Sequence, residues 1–397
     1  MEDLRRLVGG ALRELPVLSY ELRGSAAAWA PVADVDVARH VVETIVPDEA
    51  GTCVAVEAEQ AWAGTSPLEL GWEMRLVRPS SGDGWALSYR VHHARQDGVA
   101  IARTLQALLA PAGPGPAPRP PAGAGSGTGR VLRAVGSAVA MYAAYRRFPP
   151  TGLGGPWQLS GRRRVSTATA SLPRLRTVAR AAGATVHDVH LAALAGAVRT
   201  WCLEAGRSPA PLAVAVPLNV RRPEESSSWG NRCFMRRVWL PCQESDARLR
   251  LSRTVKATTA LKSARVRQTA QDLLYGSPAR LVEFALRRAL DPRYAPVLSS
   301  YVPCGDDAAA VPPSLTGLLP MTLLPPGHPF NAGLTTYGST AQIAVVSDVA
   351  VPGADRIPVL WQQEAARLWE AASPSPPAPR PPADSPADVP EEGRATP

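Results

Sequence analysis

The chain has 397 residues, 45% hydrophobic and 19% charged, which is enough apolar material for a sizeable core and a length that suits two domain-sized units. Its net charge of +9 is almost wholly arginine, the only lysines being Lys256 and Lys262, and no RNP-like, zinc-finger or basic-helix pattern accompanies it, so a nucleic-acid partner is not expected. Five scattered cysteines (Cys53, Cys202, Cys233, Cys242 and Cys304), odd in number and without CxxC or Cys/His spacing, point away from a disulfide framework and a metal site and suit a reducing cytosol.

Along the chain, no charged-then-apolar leader follows Met1 and no window approaches the roughly eighteen apolar residues of a membrane span, so secretion and a span are not expected. "LRRLVGGALRELPVL" repeats apolar residues at helical spacing and stops at Pro16. "GWALSYRVHH" alternates instead, with Leu87, Tyr89, Val91 and His93 on one face and Ala86, Ser88, Arg90 and His92 on the other. That alternation sends the two histidines to opposite faces of a strand. "GVAIARTLQALLA" then returns to helical spacing, which puts the His-His pair at a strand end and Asp97-Gly98 in the turn into a helix.

A Pro/Gly-rich stretch, "PAGPGPAPRPPAGAGSGTG", cannot form a packed element and reads as a semi-extended linker. It divides the chain into an expected N-terminal unit at 1–110, a linker at 111–130 and a C-terminal unit at 131–372, with a disordered Pro-rich tail at 373–397. After the linker, the segment from Arg130 to Phe148 is weakly amphipathic with arginines at its ends, compatible with a packed helix or a membrane-surface helix. "TVHDVHLAALAGAVRTWCLEAG" places Val186, Val189, Ala193, Ala197 and Trp201 on one helical face, with Thr185 as cap and Gly206 as stop. "PLAVAVPLNV" reads as a buried strand running into the polar loop "RRPEESSSWGN". A helical pattern follows from Asp246 to about Ser263, and two β-runs meet at Gly338-Ser339 as a hairpin. The fold class is α/β, mixed α+β.

His92-His93-Xaa3-Asp97-Gly98, at a strand end before a helix, resembles the active-site signature of the acyltransferase superfamily that includes chloramphenicol acetyltransferase and peptide-synthetase condensation domains. "LELGWEMRLVR", "ATVHDVHLAALAGAVRTWC", "VPLNVRRPEESSSWGNRCFMRRVWLP", "SSYVPCG" and "FNAGLTTYGSTAQIAVVSDVAVPGADRI" are similar, in order, to blocks of the bacterial wax ester synthase/diacylglycerol acyltransferase family, from about residue 4 to 365. The resemblance implies two chloramphenicol-acetyltransferase-like subdomains with a channel between them, the N-terminal one aligning as though its first strand were absent. Three blocks depart from the family pattern: Leu70-Gly71-Trp72 stands for Pro-Leu-Trp, His187-Asp188 for Asn-Asp, and "SYVPCGDD" for Ser-Asn-Val-Pro-Gly-Pro.

The chemistry follows from the residue types. An alcohol attacks a thioester poorly unless a base removes its proton as the C–O bond forms, and imidazole, whose ordinary pKa is about 6.5, suits that task near neutral pH. His93 is the expected base, and the family pattern agrees. Asp97 is implied to hold the loop through an arginine, Arg221 or Arg222, and Gly98 to occupy a position where a Cβ would crowd the loop. His92 reads as a packing or hydrogen-bonding residue. Trp72, His187, Asp188 and Asn231 are candidates for the substrate channel, Asn231 being equally explicable as a turn asparagine.

No metal and no cofactor are called for, acyl-CoA being a substrate. The implied activity is acyl-CoA-dependent O-acyl transfer to diacylglycerol or a long-chain alcohol, giving triacylglycerol or wax ester. The setting expected for it is cytoplasmic, peripheral on the inner face of the plasma membrane or on a lipid-droplet surface. Two alternatives are a carrier-protein-dependent acyltransferase or condensation-type enzyme of specialised metabolism, and a degenerate non-catalytic homologue.

Overall fold

The computed structural model describes residues 1–23, 28–46, 71–81, 84–109, 157–225, 228–304, 315–322 and 324–372, with 136 and 153 besides. The expected linker, the arginine-tipped helix after it (residue 136 apart) and the Pro-rich tail lie outside the described residues, as do Cys53 and Leu70.

The N-terminal elements open with helix α1 (Glu2–Ala11), which ends before the 3-10 turn at Pro16–Leu18 rather than at the proline itself. Strands β1 (Tyr20–Arg23) and β2 (Ala28–Pro31) form an antiparallel pair. A short helix α2 (Val37–His40), capped by the Asp36 carboxylate, leads into β3 (Val41–Val46). Strands β3, β4 (Trp72–Pro79) and β5 (Ala86–Val91) make a three-stranded sheet in that order, β3 parallel and β5 antiparallel to β4. Helix α3 (Gly98–Leu109) completes this part. Val8, Leu15, Val17, Leu18, Val41, Trp72, Met74 and Leu108 form its core, and one further member, Trp229, comes from the second half of the chain. Burying a side chain of that kind contributes about 1.5–3 kcal/mol, so Trp229 fastens the two halves together.

The C-terminal elements are β6 (Arg163–Ser171), α4 (Leu172–Ala181), α5 (Val186–Glu204), β7 (Leu212–Asn219), β8 (Cys233–Leu240), α6 (Ala247–Thr259), α7 (Ala264–Gly276), α8 (Ala279–Ala289), β9 (Val297–Pro303), β10 (Phe330–Tyr337), β11 (Thr340–Asp348) and α9 (Ile357–Ala372). The strands form a six-stranded sheet in the order β6-β11-β10-β9-β7-β8, with β9 parallel to both of its neighbours. Val214, Val216 and Val297 face the core shared with α5 and α9, whereas Ala215 and Leu298 face α7 and α8. The architecture is mixed α+β, as its hydrophobic patterning indicates. The hairpin at Gly338-Ser339 forms as read: β10 and β11 pair through Tyr337 and Thr340, and Gly338 takes φ +53°, a left-handed value that favours glycine.

Helix α5 is the centre of the second half. Thr185 Oγ1 accepts from the Asp188 backbone N–H at 3.2 Å, and Asp188 Oδ2 accepts from the Thr185 backbone N–H at 2.8 Å, which is a capping box. The face read from spacing is too narrow, because Leu191, Ala192, Leu194, Ala195 and Val198 are buried as well. Small residues all round let the helix be enclosed by the sheet, α6 and α9. At Gly196 a Cβ would lie 2.7 Å from Nη2 of Arg250, whose buried guanidinium pairs with Glu364 of α9. The missing side chain therefore makes room for an ion pair inside the helical layer.

Candidate active site

Strand β5 ends at Val91, so His92 and His93 lie in the turn beyond it, both exposed, and strand alternation is not what separates them. The turn is held by local hydrogen bonds instead. The His92 backbone N–H donates to Gly71 O at 2.9 Å, the Arg95 N–H to His92 O at 2.8 Å, and the Ala94 N–H to His92 Nδ1 at 3.2 Å. His92 thus behaves as a hydrogen-bonding residue of the turn.

His93 is oriented by its neighbours. Its Nδ1 lies 2.9 Å from Gln96 O, and a carbonyl can only accept, so the contact favours the neutral tautomer that has its proton on Nδ1 and its lone pair on Nε2. Gln96 is fully buried; its Oε1 accepts from Tyr89 Oη at 2.7 Å and its Nε2 donates to Thr104 Oγ1 at 2.7 Å. Strand β5 and helix α3 therefore clamp the residue that sets the histidine's tautomer. From the second half, Asn231 Nδ2 donates to His93 O at 2.8 Å, while Asn231 Oδ1 accepts from the Cys233 N–H at 3.1 Å. A residue expected in the substrate channel is in contact with the candidate base.

Asp97 is 3% exposed and accepts four hydrogen bonds. Arg221 supplies two, from Nη1 at 2.8 Å and Nη2 at 3.0 Å; the backbone N–H groups of Arg232, at 2.7 Å, and Ala100, at 3.0 Å, supply the others. Of the two arginines considered as partner, Arg221 is the one that pairs, and its remaining donors reach Asn219 Oδ1, Ser228 O and Gly230 O. The carboxylate caps α3 and fixes the loop before β8, both facing the histidine turn. Gly98 begins α3, and a Cβ there would sit 2.7 Å from Val302 Cγ2 on β9. What crowds Gly98 is thus the strand of the second half, not its own loop.

The other candidates are held by contacts of their own. Trp72 is 1% exposed, with its indole N–H on Leu18 O at 3.1 Å and its ring stacked on His40 at 4.1 Å, the contacts of a core residue. Gly71 before it has φ +78°, and a Cβ would lie 2.6 Å from Arg95 Nη1, which accounts physically for glycine in that altered block. Arg95 itself is buried and donates to Val17 O and Tyr20 O, tying the turn to β1. Asp188 is buried in the α5 cap and also accepts from Thr258 Oγ1 at 2.6 Å and Lys262 Nζ at 2.5 Å. Burial opposes its charge, but these bonds outweigh burial and hold its pKa below the usual carboxylate range.

His187 packs against Tyr301 and His190. Tyr301 and Val302 are neighbours on β9 and point to opposite faces, so the α5 histidines and the start of α3 lie on opposite sides of the sheet. Gln96, Tyr89 and Thr104 went unnoticed in the sequence because variable positions of a motif and ordinary strand and helix residues carry no signal of their own. Among the described residues no group of three or more His, Cys, Asp or Glu side chains could hold a metal ion.

Burial lowers the pKa of His187 to about 4 and that of His190, hydrogen-bonded to Ser299 Oγ at 2.9 Å, well below 6.5; His40 and His328 shift the same way. Unfolded histidines protonate near pH 6.5. Stability is then fully present above that pH and declines as the pH falls toward about 4, because the unfolded chain takes up protons that the folded one refuses. Melting temperatures measured from pH 8 to pH 5 are expected to fall below about pH 6.5, and less steeply in His187→Gln. A flat profile in the parent chain would contradict buried neutral histidines.

No family model matches the chain. A Mycobacterium tuberculosis protein provisionally named diacylglycerol O-acyltransferase is 31% identical over 273 residues, 59% of this chain and 57% of that protein. A Mycobacterium bovis protein under the same provisional name is 29% identical over 236 residues, 49% of this chain and 45% of that one. The chain thus spans about half the length of the curated relatives it matches. The wax ester synthase/diacylglycerol acyltransferase of Marinobacter aquaeolei VT8 aligns with a TM-score of 0.58 and 20% identity, over 89% of this chain and 86% of that one. The first condensation domain of the calcium-dependent antibiotic synthetase aligns with a TM-score of 0.57 and 16% identity, over 93% and 87%. These two likenesses show that the chain has the fold those two proteins share. With the sequence relatives beside them, they bear out the chain's resemblance to the bacterial wax ester synthase/diacylglycerol acyltransferases.

Proposed function

We propose that this chain is an acyl-CoA-dependent O-acyltransferase that forms triacylglycerol or wax ester, with His93 as general base. The observation that carries the reading is the contact of His93 Nδ1 with Gln96 O at 2.9 Å, which favours the tautomer with its lone pair on Nε2 of an exposed ring. Nε2 takes the proton of the acceptor hydroxyl as its oxygen bonds to the thioester carbonyl carbon. The C–S bond then breaks, and the imidazolium returns the proton to the leaving thiolate. Asp97, Arg221, Gln96 and Asn231 are positioning residues, and substrates reach the base between the two halves that Asp97 and Arg221 join.

The direct test is thiol release from palmitoyl-CoA by the purified chain, with and without hexadecanol or a diacylglycerol. Release that depends on the acceptor, with ester formed in equal amount, is expected. The fold likeness to a condensation domain favours a second reading, in which the acyl donor rides on a carrier protein. Transfer from an acylated carrier protein to a soluble acceptor, with none from palmitoyl-CoA, would put that reading first; no transfer from either would leave a non-catalytic protein.

Among the described residues no helix is long and apolar enough to cross a membrane. Diacylglycerols and long-chain alcohols partition into bilayers, so the lipid reading calls for peripheral docking, for which the arginine excess and the segment from Arg130 to Phe148 are suited.

A further inference from the structure

The loop between β7 and β8 carries a second cationic arrangement, next to the histidine turn. The guanidinium carbons of Arg222 and Arg232 lie 4.7 Å and 5.0 Å from the ring centroid of Tyr275, within cation–π range. Tyr275, in α7, is 6% exposed and donates its hydroxyl proton to Glu225 Oε2 at 2.6 Å. Glu225 is the carboxylate that serves this group. Its Oε2 also accepts from the Arg222 backbone N–H at 3.1 Å, and its Oε1 stands 3.8 Å from Arg232 Nε, too far for a hydrogen bond.

Two guanidinium charges therefore face one carboxylate. Arg232 Nε is buried with no hydrogen-bond partner among the described residues, and the Arg222 guanidinium lies against the ring of Tyr275. A buried donor left without an acceptor costs free energy unless something completes it. The Arg232 side chain is 16% exposed and Arg222 is half-buried, so both are shielded yet reachable. The arrangement shares its framework with the candidate base: Asn231 bonds to His93, and the next residue, Arg232, gives its backbone N–H to Asp97.

We propose that Arg222 and Arg232, set against Tyr275, form a phosphate site that holds the phosphorylated arm of the acyl donor while its thioester lies at His93. The proposal rests on the acyl-thioester reading above. A planar guanidinium matches phosphate oxygens in pairs, and here two of them lie against the one ring of Tyr275 with a single carboxylate between them, so the excess positive charge suits a phosphate better than a neutral acceptor alcohol. Acyl chain and arm would then be read separately, the arm by these arginines.

Two measurements on the full chain test it. The first is calorimetric titration with inorganic pyrophosphate, which needs no turnover. Binding to the parent chain should weaken about tenfold in Arg222→Gln, the scale of one charged hydrogen bond, and likewise in Arg232→Gln. The second compares palmitoyl-CoA with palmitoyl-pantetheine, which lacks the phosphates. Arg222→Gln should raise KM for palmitoyl-CoA about tenfold with little change in kcat, and affect the pantetheine thioester far less. Melting curves confirm that the variants fold, and Arg222→Gln removes only a ring contact. No pyrophosphate binding by the parent chain, or equal effects on both donors, overturns the site. If pyrophosphate binds through the arginines but neither donor is turned over, the phosphate site stands and the transfer reading falls alone.

Discussion

His93→Ala is expected to lower acyl transfer by about 10²–10⁴-fold while leaving the melting temperature of the parent chain unchanged. The ring is exposed, and its Nδ1 bond to Gln96 O is local to the turn, so truncation removes a base without opening a cavity or stranding a buried charge. Gln96 stays in place through Tyr89 and Thr104, and Asn231 still bonds to the backbone carbonyl at residue 93. The loss should therefore fall on kcat more than on substrate binding. The decisive comparison is acceptor-dependent thiol release by the two proteins at equal concentration, with thermal melts beside it. Equal rates would remove His93 from the mechanism, and a lower melting temperature would mean that the ring also supports the turn.

Asp97→Ala should act differently, costing about 3–5 kcal/mol of stability, the scale for breaking a buried ion pair by deleting one partner. Arg221 would keep its bonds to backbone carbonyls and Asn219 but hold a buried, uncompensated charge, and the N–H groups of Arg232 and Ala100 would lose their acceptor. Activity should fall with stability, because the loop that carries Asn231 and the start of α3 are no longer fixed against each other. Replacing both partners, Asp97→Ala with Arg221→Met, should recover a large part of the melting temperature, since no charge is then stranded, without restoring activity. Denaturant melts of the three proteins measure this. A single variant of parental stability that is nonetheless inactive would mean that Asp97 acts on the substrate directly.

Much of this protein was legible in its residues. Helix α5 announces itself through Thr185, the apolar run behind it and Gly206, β7 through "LAVAV", and the β10–β11 hairpin through Gly338; each is a local matter of capping, periodicity and turn geometry. The histidine motif and its Asp-Gly step are local too, which is why a candidate base could be named before any fold was known. What the sequence by itself determined was therefore these particular elements and the residue types needed for proton transfer. Only the tertiary structure decided how those types are held. The choice of Arg221 over Arg222 depends on a contact spanning 124 residues, and the approach of Asn231 to His93 on one spanning 138. Gly71 and Gly98 show their purpose only once Arg95 and Val302 stand beside them. Trp72 and Asp188, singled out as channel residues, have the contacts of a core tryptophan and a helix cap, because burial is a property of the assembled layers. Periodicity and capping act over a few residues and leave a trace in neighbouring letters; hydrogen bonds and ion pairs between distant segments leave none until the chain has brought them within about 3 Å.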